Sequence, residues 1–186
     1  MPSVITTALA TSTSLTLTAT PADRQTARLA AIAIVLALID AGIPSPLPGL
    51  KPGFANIVTL VALERLGLRA AVAVSLIRVF AAALLLGSLM TPGFFFSLAG
   101  GIASLATLAL AHCLPRRWFG MVSLSLLAAF AHIGGQLLLA RLWLIPSDGL
   151  GYFVPLFLAA AFVSGTVNGI ICARLLTETR PDDAPA

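Results

Sequence analysis

The fold class predicted for this chain of 186 residues is all-α, a polytopic membrane bundle of six transmembrane helices, and three observations predict it. Hydrophobic residues make up 59% of the chain and charged residues 10%, whereas a water-facing domain carries roughly 25% charged residues. Mean hydropathy is +1.02, and the apolar residues run in blocks approaching the length of about 20 that a bilayer-crossing helix needs. Apart from Arg78, the few cations sit at the edges of those blocks, most of them in alternate gaps.

Taken in order, residues 1–26 are rich in Ser and Thr and have no basic start followed by an apolar core, so they read as a disordered polar tail and not as a secretory leader. A six-helix membrane domain over 27–177 follows, and 178–186 form a second polar tail. The first apolar segment covers about 28–43 and ends in a loop dense in proline and glycine. The second, about 53–67, is short for a full span, which little tilt, late entry into the membrane or packing against neighbours that shield its ends would explain. The third covers about 69–90 and stops at TPG; the fourth, about 94–114, stops at a Pro-Arg-Arg run. The fifth, about 118–145, stops at IPSDG, and the sixth covers about 151–176.

Cations fix the expected orientation. Arg24 and Arg28, Arg65 and Arg69, Arg116 and Arg117, and Arg174 and Arg180 all fall on one side of six alternating spans. The other side holds Lys51, with Arg141 near a helix end where it snorkels. Both termini are therefore expected in the cytoplasm, and the protein in the cytoplasmic membrane of the cell as a multi-pass protein. Although the net charge is +4, the basic residues form no stripe interleaved with aromatics, so no nucleic-acid partner is expected. Cys113 and Cys172 lack ligand spacing, so they read as packing residues and no metal or cofactor is expected.

Ionisable groups within apolar spans are costly and usually face a cavity or a partner. Counted along the helices, Arg78 lies near mid-membrane; Asp40, His132 and Gln136 lie in the outer half; Asn56 opens the second helix on the outer side. Asn168 falls nearer the cytoplasmic half. His132 and Gln136 are four apart and share a helix face. Arg78 has Asp40 as its one acidic candidate at comparable depth, and either Asp40 neutralises it or an anionic ligand does. With Lys51, these seven residues form the candidate substrate site. Pro44, Pro46, Pro48, Gly49, Pro52 and Gly53 stiffen and turn the loop above them, which reads as a gating lid over an outward cavity.

Close helix approach is signalled twice, by the alanines of the first helix and by Gly165 and Gly169 in GTVNG, the internal bundle being the favoured place for such contacts. Motifs for catalysis are missing: Asp182 and Asp183 are the only paired aspartates and lie in the tail, and there is no phosphate loop, nucleophile elbow or H-E-x-x-H. A non-enzymatic role is expected.

Over residues 28–176 the chain resembles the family labelled Gx transporter family or heptaprenyl diphosphate synthase component I. The resemblance rests on PGLKPGFANIVTL, LIRVFAAALLLGS, FFFSLAGGIASL, AHIGGQLLLA and GTVNG in this order. Two departures are visible: Ile133 stands where an Asn is usual, and Asp40 where the longer Glu is common. The family in turn looks like the substrate-binding S components of energy-coupling factor transporters. That likeness implies a pocket under the first loop, and a helix-one face through Ala27, Ala31 and Ala37 that docks on a transmembrane coupling subunit, with ATPases beyond it. Two functions follow as expectations. One is a substrate-binding subunit for uptake of a small, anionic or amphipathic solute; the other is a non-catalytic membrane partner of a prenyl transferase in isoprenoid-quinone synthesis.

Overall fold

A computed structural model describes residues 19–43, 53–113, 120–144 and 148–178, and among these every regular element is helical. The helices are α1 (Pro21–Gly42), α2 (Asn56–Leu66), α3 (Leu68–Leu85), α4 (Pro92–His112), α5 (Met121–Leu139) and α6 (Val154–Glu178). A π-helical turn, Ala140–Leu144, extends α5, and a 3-10 turn, Asp148–Phe153, leads into α6. All but α2 are long and apolar enough to cross a membrane.

Two boundaries differ from the sequence expectation, each for a local reason. Helix α1 starts at Pro21, well before residue 28, so 21–26 belong to the helix and not to the polar tail. Thr20 and Asp23 form a reciprocal cap: Asp23 N donates to Thr20 Oγ1 at 3.2 Å and Thr20 N donates to Asp23 Oδ2 at 2.9 Å. Pro21 at the first helical position completes this start signal. Helix α3 ends at Leu85, short of 90, because Gly87 takes φ +61° and Ser88 N turns back to donate to Ala83 O.

Packing runs α1 on α3, α3 on α4, α4 on α5 and α5 on α6, with α2 inside, touching α1, α3, α5 and α6. Eleven residues of helix rise only about 16 Å, roughly half of a 30 Å hydrocarbon core. Val58, Leu60, Val61, Ala62 and Leu63 of this short helix are buried against Ala30 and Ala33 of α1, Val74 of α3, Leu105 and Leu108 of α4, Leu124 and Ala128 of α5, and Cys172 of α6. Thus α2 is a central plug that fills one half of the interior. It joins α3 through Gly67 alone, at φ +87°, a backbone state that a side chain would strain. The short second segment is therefore shielded by neighbours, as its length suggested.

On α6, Gly165 and Gly169 serve the internal contact with α5: a Cβ at Gly169 would come 2.6 Å from Val122 Cα, and one at Gly165 would come 3.0 Å from Ala129 Cβ. The outer surface is the apolar one. Ile32, Val35 and Ile39 of α1, Phe80 and Leu84 of α3, and Phe162, Val163 and Ile170 of α6 are all exposed, while Arg78, Gln136, Asn168, Ser75, Ser104 and Ser125 are buried. A protein with its polar groups inside and large apolar side chains outside has lipid as its solvent, and this is a multi-pass membrane protein. Arg65, Arg69 and Arg174 are exposed at the end of the bundle where α2 meets α3, and Arg65 Nη2 donates to Leu175 O across that end. Arg24 and Arg28, also exposed, lie on the first turns of α1 at the same end. Arg141 is exposed near the far end of α5.

Candidate functional site

Because α2 stops at Asn56, the axis it occupies continues as empty space between the longer helices. A cavity of about 340 Å³ lies there, lined by α1, α3, α4, α5 and the chain that enters α2. Its polar lining includes Asp40 from α1, Arg78 from α3, Ser97 from α4, His132 and Gln136 from α5, and Ser88 and Thr91 from the turn between α3 and α4; Val79, Ala82, Leu86 and Phe94 supply apolar wall. The polar groups of the helices lie one and two helical turns from the plug, and the apolar wall rises past them toward the end opposite the exposed arginines. Phe94 of that wall belongs to an aromatic string: Phe80, Phe94, Phe95 and Trp143 meet edge to face with centroids 5.3–5.5 Å apart.

The floor is held from behind. Arg78 is 5% exposed, and its Nη1 donates to Asn56 Oδ1 at 3.2 Å, so the first residue of the plug aims the guanidinium. The charge of Asp40 acts on the same guanidinium from α1. Opposite, Gln136 Nε2 and His132 Nε2 are 3.0 Å apart, the helical neighbours that their spacing of four makes them. The imidazole lies flat against Gly100 of α4: a Cβ there would come within 2.8 Å of His132 Cε1. Gly53, at φ +76°, approaches the ring from the other side, where a Cβ would sit 3.7 Å from His132 Nε2. His132 Nδ1 and Gln136 Oε1 are buried without a hydrogen-bond partner among the described residues. Leaving such an atom unpaired costs about 1–3 kcal/mol, so these two are the places where the cavity gains by being filled.

Of the candidate site residues, Asp40, Arg78, His132 and Gln136 come together in one wall-to-wall arrangement. Asn56 and Asn168 do not line the cavity. Asn56 stands behind Arg78, and Asn168 Nδ2 donates to Gly53 O at 3.3 Å, bracing the entry to α2 from α6. Asn168 thus lies level with Gly53, beside the N-terminal end of the plug. Lys51, Pro44, Pro46, Pro48, Gly49 and Pro52 lie outside the described residues, while Gly53 lines the cavity. Ala27 and Ala31 are exposed on α1, but Ala37 turns into the cavity. Six residues past Ala31 is about 240° around the helix, so the three alanines do not share one outward face.

Sequence reading missed Ser97, Ser88 and Thr91, which also line the cavity, and Gly100 beneath the imidazole. The adjacent glycines of LAGGIAS were the available signal, since a missing Cβ on one helix admits a ring from the next. Ile133, the apolar departure beside His132, packs with Ala129, Phe157 and Ala161 on the α5–α6 side and so takes nothing from the cavity. Chemically, the site offers one cation, one anion, an amide and an imidazole beside an apolar wall, a set suited to holding a small amphipathic molecule by its polar end.

No curated protein and no solved structure matches the chain. A family model described as heptaprenyl diphosphate synthase component I matches residues 29–175, from the third turn of α1 to the last turn of α6. The match covers every helix that builds the plug and the cavity, and the chain belongs to the heptaprenyl diphosphate synthase component I family.

Proposed function

We propose that the chain is a non-catalytic, small-molecule-binding membrane subunit that captures an anionic or amphipathic solute for uptake, in the manner of a transporter S component. The observation that supports this most is the hollow above α2. A protein that only ties helices together has no use for a half-length central helix whose missing turns are replaced by Arg78, Asp40, His132 and Gln136 around an open volume. Capture proceeds from the cavity end. With the exposed arginines of the opposite end facing the cytoplasm, as the cation rule requires, the mouth looks outward and both termini look in. The loop through Pro44, Pro46, Pro48, Gly49 and Pro52 then gates it, Lys51 draws a negative group toward it, and an energy-coupling module supplies the drive.

Arg78→Ala, purified in mild detergent, is expected to elute as the same folded species and to lose whatever small molecule native mass spectrometry finds on the wild type. Retained ligand with intact folding ends the binding role of Arg78. The family name favours a second reading, an accessory subunit that holds a prenyl lipid and recruits a prenyl transferase. Affinity purification from solubilised membranes separates the two. Co-purifying ATPase subunits support uptake, and a co-purifying prenyl transferase supports the accessory role.

A further inference from the structure

The hydrogen-bond inventory of the cavity narrows the chemistry of its occupant, on the premise that the cavity binds a solute as proposed above. Among the atoms buried without a hydrogen-bond partner in the described residues are Gln136 Oε1 and His132 Nδ1, both on side chains more than nine-tenths buried that line the cavity, with the Gly100 backbone acting on the imidazole. Their joint character is independent of how the amide is assigned. If Gln136 Nε2 donates to His132 Nε2, the atoms left over are an amide oxygen, which accepts, and a neutral imidazole Nδ1–H, which donates. With the amide turned over, Gln136 accepts from Nε2–H. What remains is then an amide NH₂, which donates, and a bare Nδ1, which accepts. Either way the neutral pair leaves one donor and one acceptor over.

Charge narrows it further. Arg78 and Asp40 line the same space with opposite formal charges that act on one another. A fully ionised head would meet the attraction of one and the repulsion of the other. An anion would also leave the acceptor of the glutamine–histidine pair without a proton to accept, and an ammonium would leave its donor without an acceptor. A neutral head with a carbonyl oxygen next to an N–H fits both: the oxygen takes a proton from Arg78 or from the pair's donor, and the N–H satisfies the pair's acceptor. Val79, Ala82, Leu86 and Phe94 leave room for a short apolar body. We propose that the cavity recognises an amide-type edge, a carbonyl oxygen beside an N–H, carried on a small apolar molecule.

The test uses the full chain in lipid nanodiscs and three probes of one chain length: octanamide, octanoate and octylamine. The readout is the unfolding midpoint, backed by native mass spectrometry of the protein as purified. Octanamide is expected to raise the midpoint by about 5 °C at a hundredfold excess over Kd, with octanoate weaker and octylamine without effect. In Gln136→Leu the preference for the amide is expected to vanish. Equal shifts from all three probes, or a larger shift from octanoate, overturn the amide edge while leaving a binding cavity in place. A co-purifying molecule that lacks a carbonyl beside an N–H does the same. No shift from any probe, together with no retained molecule, overturns the binding reading itself.

Discussion

The two halves of the bundle interior are walled by the same long helices and differ only in what fills them. At the end with the exposed arginines, α2 packs Leu60, Leu63 and Ala62 into a continuous apolar core with α1, α3, α4, α5 and α6. Past Asn56 the same walls enclose a cavity of about 340 Å³ with an arginine, an aspartate, a histidine and a glutamine around it. Helices in lipid gain little from hiding apolar surface, because the tails outside are as apolar as the core, so association rests on close packing and on polar contacts. The filled half is where the chain collects that packing. The hollow half holds polar groups whose expense in such a place is ordinarily met by a ligand, a partner or water.

The sharpest way to break the contrast is to wedge the filled half. Gly169→Leu puts a side chain where a Cβ alone would come 2.6 Å from the backbone of Val122, and backbone cannot swing aside as a flexible side chain does. The expected outcome is failure to recover a monodisperse protein from detergent, measured by size exclusion. A smaller cut in the same half, Leu60→Ala, removes a side chain 1% exposed at the centre of the plug. It is expected to cost about 2–4 kcal/mol, read as a lowered unfolding midpoint with ligand binding retained.

How much of this contrast the sequence disclosed follows the range of the interactions involved. The order of six apolar segments, the shortness of the second and the neighbouring pair His132 and Gln136 are local properties, and the helices stand where the apolar blocks are. The cap at Thr20 was local too. It was overlooked because a Thr and an Asp three apart around a Pro sit among other polar residues and resemble tail. The plug was not legible. Nothing within residues 56–66 says which helices surround them, and a helix buried on most sides carries little periodicity to read. Asn168 belongs to the same class, since its partner is a backbone carbonyl 115 residues away, at Gly53.

In the hollow half the expected pattern reverses, with small effects on folding and large ones on binding. Gln136→Leu deletes a buried polar atom with no hydrogen-bond partner among the described residues and leaves His132 Nε2 without its neighbour. These changes oppose each other, and the unfolding midpoint of the unliganded protein is expected to move by no more than about 1 kcal/mol equivalent. Affinity for the native solute is expected to fall by about tenfold or more, the loss of one buried hydrogen bond to a ligand. A large stability loss with affinity intact would mean that the glutamine belongs to the packing and not to the site.

The smallest effect is expected where the two halves are compared most directly. Val79 is 7% exposed, nearly as hidden from water as Leu60, yet it lines the cavity on one side. Apparent burial is thus a poor guide here. A side chain beside a void has partner atoms on one face only, and forfeits the dispersion that the other face would supply. Val79→Ala is therefore expected to cost about 1 kcal/mol or less, well under the value for Leu60→Ala, while enlarging the cavity enough to shift preference toward a bulkier probe. Thermal unfolding of the two alanine variants side by side measures the difference. Should Val79→Ala prove as damaging as Leu60→Ala, both faces of Val79 have partners, which requires the space above α2 to be packed by the chain itself and closed to any solute.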